Sequence, residues 1–190
     1  NWILNQLSNG TMWNERHFWS SVRPNGPSRP HDLNRLEFRI CDLITDCDLL
    51  LAITALLELR VLSLINQSEQ FDPLIVSKLN TSELESLSDL NDMAAAKDSL
   101  DAPLHDWRNG KPIICRDWIE QILNDVAPLA CDLGMKELLL PIYSVLDQGN
   151  QAMRWLQSYE EGASVNELIQ QSIVAMEDEE TASYSKKVIL

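Results

Sequence analysis

The stretch LLLAITALLELRVLSLI, residues 49–65, constrains this chain more than any other. It is apolar on nearly every side of a helix, and Glu58 and Arg60 are its only charged residues. A membrane-crossing helix needs about 20 predominantly apolar residues with few or no charges. The two charges therefore mark a buried helix and exclude a span. A helix apolar all round must be covered by neighbours. Each fully buried Leu or Ile contributes roughly 1.5–3 kcal/mol, so this helix is expected to anchor the core. Thr45-Asp46-Cys47-Asp48 precedes it and reads as a capping box opened by Thr45.

Helical signals dominate the chain beyond this segment. A helix is expected from Ser82 to Lys97, capped by Thr81, and Asn109-Gly110 marks a turn. Arg116 to Leu133 places Ile119, Ile122, Leu123, Val126, Leu129, Ala130 and Leu133 on one stripe, closed by Gly134. Pro128 should kink or divide that helix, because it removes a donor and crowds the preceding turn. Lys136–Gln148 is a further helix stopped by Gly149. The box Ser164-Val165-Asn166-Glu167 opens another that runs to about Glu177. Residues 179–190 carry no clear pattern and are expected to be a disordered tail. Residues 1–9 read as a helix ending at Asn9-Gly10.

Only one segment changes period. In RLEFRICDL, residues 35–43, Leu36, Phe38 and Ile40 alternate with Arg35, Glu37, Arg39 and Cys41, the spacing of a β-strand. HFWSSVRP, residues 17–24, also has strand character, and the turn-rich PNGPSRPHD between the two would make them a hairpin. The fold class is thus α+β, predominantly helical, with about two strands near 17–42 packed by C-terminal helices. Pattern alone reads the charged face of 35–41 as one that looks at water.

Length and charge narrow the function. A chain of 190 residues and 21.6 kDa is long enough for one sizeable core. Its formal charge of −14, from 15 Lys+Arg against 29 Asp+Glu, argues against nucleic acid, which needs a basic face to release counterions. No basic juxtamembrane cluster is present. Cys41, Cys47, Cys115 and Cys131 form no CxxC pair, and His17, His31 and His105 lie far from them in sequence. Reduced, partly buried thiols in a cytoplasmic protein are expected, without a zinc site. The six tryptophans are scattered, and most are expected to be core anchors. The chain opens on Asn1 with WILNQL, which reads like a helix already under way, so a fragment of a longer protein is expected.

Taken in order, FWSSVRP, RLEFRICDL, the buried helix and GNQAMRWLQSYEEG (149–162) resemble the C-terminal half of glutamate–cysteine ligases of the carboxylate–amine ligase type, especially the cyanobacterial branch. Val22-Arg23-Pro24, Glu37-Phe38-Arg39-Ile40-Cys41-Asp42 and Gly149-Asn150 with Arg154 stand where that family has its motifs. Departures fall near NDMAAAKDSLDA (91–102). Relatives often have two arginines where this chain has Ala94 and Lys97, and a glycine where it has Ser99.

The resemblance implies one catalytic domain, 1–178 being its C-terminal half, and a glutamine-synthetase-like antiparallel sheet. It implies a ligase that joins the γ-carboxylate of glutamate to the amine of cysteine with ATP and Mg²⁺, the first step of glutathione biosynthesis. The partners would be glutamate, cysteine and ATP. Glu37 would then be a metal ligand, since Mg²⁺ takes hard oxygen donors. Arg39 would clamp a phosphoryl oxygen bidentately. Arg23 would bind a substrate carboxylate or phosphate, or else be a surface residue at a strand end. Asp42 reads as a cap for the following helix, Cys41 as a packed thiol, and Trp19 as a possible pocket wall. Asn150 and Arg154 read as a helix cap and a surface charge, or as support for the active-site side. Another amine acceptor would suit the same motifs, and an acidic helical interaction module is the reading from a different class.

Overall fold

Capping residues fix where the helices of this protein begin, and two of them sit one position from the sequence expectation. The computed structural model describes residues 5, 8–10, 22–25, 35–38 and 44–187, which fall into two units, 1–43 and 44–190.

In the first unit, the Asn9 N–H donates to the Asn5 carbonyl at 2.9 Å and Gly10 has φ +69°, so a helical turn closes at Asn9-Gly10 as expected. Strands β1 (Val22–Asn25) and β2 (Arg35–Phe38) pair antiparallel. Pro24 lies inside β1 and not at its end, a step at which the ladder has no N–H to donate.

In the second unit, α1 (Cys47–Asn66) is capped by Asp46, not Thr45: the Asp46 Oδ1 accepts from the Leu49 N–H at 2.9 Å. Two single-turn helices follow, α2 (Ser68–Phe71) and α3 (Pro73–Val76). Helix α4 (Thr81–Asp98) is capped by Asn80, whose box with Glu83 satisfies both partners at 2.8 and 3.1 Å. Asn and Thr are both competent caps, and here the reciprocal carboxylate three residues on selects Asn80.

A 3₁₀ turn at Ser99–Asp101 leads into a second antiparallel pair, β3 (Pro103–His105) and β4 (Pro112–Ile114). The turn between them has Gly110 at φ +70°, with its N–H donating to the Asp106 carbonyl at 2.7 Å. Asn91 of α4 grips β3 from the side: its amide donates to the His105 carbonyl at 2.9 Å and accepts from the His105 N–H at 2.8 Å.

Helix α5 (Cys115–Asp132) runs unbroken through Pro128. A proline at 128 leaves the carbonyl of residue 124 without its helical donor. Asn124 and Pro128 are both exposed, so water can take that carbonyl. The helix ends in a Schellman motif, with the Met135 N–H on the Ala130 carbonyl at 2.8 Å and the Gly134 N–H on the Cys131 carbonyl at 3.1 Å. A 3₁₀ turn, Lys136–Leu139, continues into α6 (Leu140–Gln148), then α7 (Gln151–Glu160) and α8 (Val165–Lys187). No Gly or Pro interrupts 165–187, and α8 extends well past Glu177.

The core unites Ala52, Ala55 and Leu59 of α1, Leu100 of the 3₁₀ turn at Ser99–Asp101, Leu123, Val126 and Ala130 of α5, and Leu139, Ile142 and Leu146. Helix α1 is therefore buried along one stripe and not all round: Leu51 and Ile65 are 57% and 68% exposed. The buried stripe consists of Ala52, Ala55, Leu59 and Ser63. The described tryptophans, Trp107, Trp118 and Trp155, are half-buried, so the core is aliphatic where aromatic anchors were expected.

The cap of α8 gives a pH-dependent signal. The Glu167 carboxylate accepts from the Ser164 N–H at 2.8 Å and its hydroxyl at 2.7 Å, and these bonds hold its pKa below the ordinary 4.5. A depressed carboxylate pKa contributes stability above the unfolded value and loses it as pH falls through the folded one. Amide protection factors at the start of α8, taken against the intrinsic rate at each pH, should fall on acidification below 4.5, and Glu167→Gln should abolish that pH step.

Candidate functional site

The ladder between β1 and β2 sorts its residues by chemistry. Directly opposite residues of an antiparallel pair share a face, and successive residues alternate between faces. Val22 stands opposite Phe38 and Pro24 opposite Leu36, four apolar positions on one face. Arg23 stands opposite Glu37 and Asn25 opposite Arg35, four polar positions on the other. The alternation in 35–38 was legible from sequence. That Arg23 joins the face of Glu37, with Asn25 and Arg35 completing it, depends on register and was not. Arg39, Cys41, Asp42 and Trp19 lie outside the described residues.

This polar face brings a carboxylate position together with two guanidinium positions. A carboxylate is a hard-oxygen donor for Mg²⁺, and arginines are suited to phosphoryl and carboxylate oxygens. By residue type alone, one carboxylate and two guanidinium positions are of the kind that a metal–nucleotide pair uses. Among the described residues no group of three or more His, Cys, Asp or Glu converges on one point.

Asn150 and Arg154 belong to the second unit. Asn150 caps α7, accepting from the Met153 N–H at 3.0 Å, and Arg154 is exposed on the same helix. The cap-and-surface reading of these two residues thus describes their local roles. Asn150 also does something the sequence did not disclose: its amide donates to the Ser99 hydroxyl at 2.6 Å.

Ser99 has φ +55° and ψ −128°, a backbone region that favours glycine. The sequence departure at 99 thus falls on a position where a Cβ is strained, and the hydroxyl gains a bond to Asn150 in return. Removing the hydroxyl costs about 0.5–1.5 kcal/mol. Strain at such a position costs about 1–3 kcal/mol, and glycine's greater unfolded-state freedom offsets about 0.4–1 of its relief. Ser99→Gly should therefore be more stable than Ser99→Ala by about 1 kcal/mol, read as a gap of roughly 2–4 °C in Tm.

Among the cysteines, Cys47 and Cys131 are exposed and Cys115 is half-buried. Burial pushes the Cys115 thiol above its ordinary value, Arg116 opposes that shift and Asp101 adds to it. A thiol raised in this way stays protonated at neutral pH and is a poor nucleophile.

Across its length the chain matches the sequence model of one family, "Glutamate-cysteine ligase family 2", over residues 1–177. The chain belongs to that family. Individual relatives agree. A protein of Solibacter usitatus named "Putative glutamate--cysteine ligase 2" is 28% identical over 82% of this chain and 38% of its own length. The proteins of the same name from Gloeobacter violaceus and Herpetosiphon aurantiacus are 26% and 27% identical, over 84% and 77% of this chain. The match spans 40% and 37% of those two relatives, so this chain covers only about two fifths of the length of the curated proteins it matches. The family match takes in the β1–β2 ladder, Ser99, Asn150 and Arg154 alike. Among the described residues no helix is long and apolar enough to cross a membrane.

Proposed function

We propose that this chain supplies the metal- and phosphate-facing strand pair of an ATP-dependent glutamate–cysteine ligase. The observation that carries this reading is the register of β1 and β2, which gathers Arg23, Arg35 and Glu37 on one face and leaves the other wholly apolar. Family membership supports a ligase of this type, and the residues on the polar face have the chemistry that its reaction needs.

In that reaction an oxygen of the glutamate γ-carboxylate attacks the terminal phosphorus of ATP, and the bond to the leaving ADP breaks. The cysteine amine then attacks the acyl phosphate carbonyl, a C–N bond forms, phosphate leaves and the nitrogen gives up a proton. Both steps gather negative charge at the phosphoryl group, so catalysis consists of positioning and charge neutralisation. Glu37 is assigned to hold Mg²⁺, which would neutralise the triphosphate. Arg39 is assigned to the transferring phosphoryl oxygens, where a guanidinium fork matches two of them. Arg23, opposite Glu37 in the ladder, is assigned to a substrate carboxylate or phosphate.

The test is substrate-dependent ADP release by the full-length protein that carries this chain. Release should require Mg²⁺, glutamate and an amine together. Cysteine and other amines assayed side by side identify the acceptor. Absence of any heat or thermal shift with Mg·ATP would instead favour an acidic helical interaction module.

A further inference from the structure

Arg60 is a charged residue in the apolar core helix, and the sequence offers it no obvious partner. Its guanidinium carbon lies 4.5 Å from the centre of the Phe71 ring, at the end of α2. Arg108, from the turn between β3 and β4, brings a second guanidinium to 5.7 Å from the same ring and 4.7 Å from the Trp107 ring. Cation–ring contacts of this kind contribute about 0.5–2 kcal/mol, and they do not satisfy N–H donors.

One of those donors lacks a close acceptor. Nη1 of Arg60 is shut off from solvent and has no hydrogen-bond partner. Asp125 of α5 stands 3.7 Å from it, and Asp106 stands 3.8 Å from Nη1 of Arg108, both ion-pair distances beyond a good hydrogen bond. The two cations also feel each other: burial lowers the Arg60 pKa, Asp125 raises it and Arg108 lowers it further. A buried N–H whose nearest carboxylate stands at 3.7 Å keeps its capacity to bond an oxygen brought closer. The rim is open, since the Asp125 and Arg108 side chains are 50% and 34% exposed, whereas Arg60 at 19% forms the floor.

We propose that Arg60 and Arg108, stacked on Phe71, form a binding site for one oxyanion group, a phosphate or a carboxylate. The anion would take the guanidinium forks that Asp125 and Asp106 reach only at a distance, with Asp125 swinging into water to admit it. The site lies wholly within residues 44–190 and does not depend on the ligase reading, so either can fail alone.

The experiment is thermal unfolding and calorimetric titration of the full chain in sodium phosphate, sodium acetate and sodium chloride at matched ionic strength. Phosphate or acetate should raise Tm above chloride, by an amount that grows with the logarithm of concentration. Arg108→Ala, at a partly exposed turn residue, should weaken that binding at least tenfold while leaving Tm in chloride within a few degrees of wild type. A response to phosphate alone assigns a phosphoryl ligand, and a response to acetate assigns a carboxylate. The proposal is overturned if neither anion exceeds chloride, or if Arg108→Ala responds as wild type does.

Discussion

Glu37→Gln or Arg39→Ala in the full-length protein should lower the turnover of ADP release at least a hundredfold. Loss of one preorganised electrostatic contact in an active site commonly costs about 3 kcal/mol of barrier. The competing account gives a much smaller number. An exposed Arg–Glu pair on a solvated strand contributes about 0–1 kcal/mol, which is at most about fivefold in rate. The two accounts therefore differ by more than an order of magnitude. Glu37→Gln keeps the shape and removes only the charge, so its deficit should deepen at low Mg²⁺. Arg39→Ala should lose turnover at saturating Mg²⁺. Steady-state kinetics over a Mg²⁺ series separates them, and full turnover in Arg39→Ala would refute the phosphoryl role.

Leu59→Ala is expected to be the most damaging core substitution. Leu59 is fully buried between α1 and its neighbours, in the cluster that includes Leu123 and Val126. A buried Leu→Ala costs about 2–5 kcal/mol, because the cavity collapses only in part. For a domain of this size that lowers Tm by roughly 5–15 °C. Leu51→Ala on the exposed side of the same helix is the matched control and should change stability by about 0.5 kcal/mol or less. Urea unfolding of both variants checks the contrast. Equal losses would mean that α1 is covered on both sides in solution.

The sequence was most legible where a single local signal decides the structure. The positive-φ glycines at 10, 134 and 149 end helices where the pattern put the ends. Ser164 and Glu167 form the box their spacing demands. The caps at 46 and 80 were displaced by one residue because adjacent Thr, Asp and Asn compete, and the partner N–H chooses among them. The pair β3–β4 was missed because each strand is three residues long and begins with proline, too short for a period of two to register. Its position is decided by Asn91, far away in sequence. At the candidate site, alternation revealed the charged face of β2, whereas the pairing of Arg23 with Glu37 is a property of two segments together. Arg60 was legible only as an exception within an apolar run. What it touches is fixed by Phe71 and Arg108, from later elements.

The first ladder also has a mechanical consequence. Among the described residues β1 and β2 pair only with each other, over four residues apiece. Two-stranded ribbons of that size hold their shape poorly in water without further strands or a packed face. Among the described residues neither outer flank is paired with a further strand, and a flank of that kind is where another extended segment can add. Stiffness at position 37, and with it the precision of any metal cradle there, would then be conferred by whatever docks along those flanks. Supplying such a segment in trans should organise the ribbon as a splint does, before any substrate arrives.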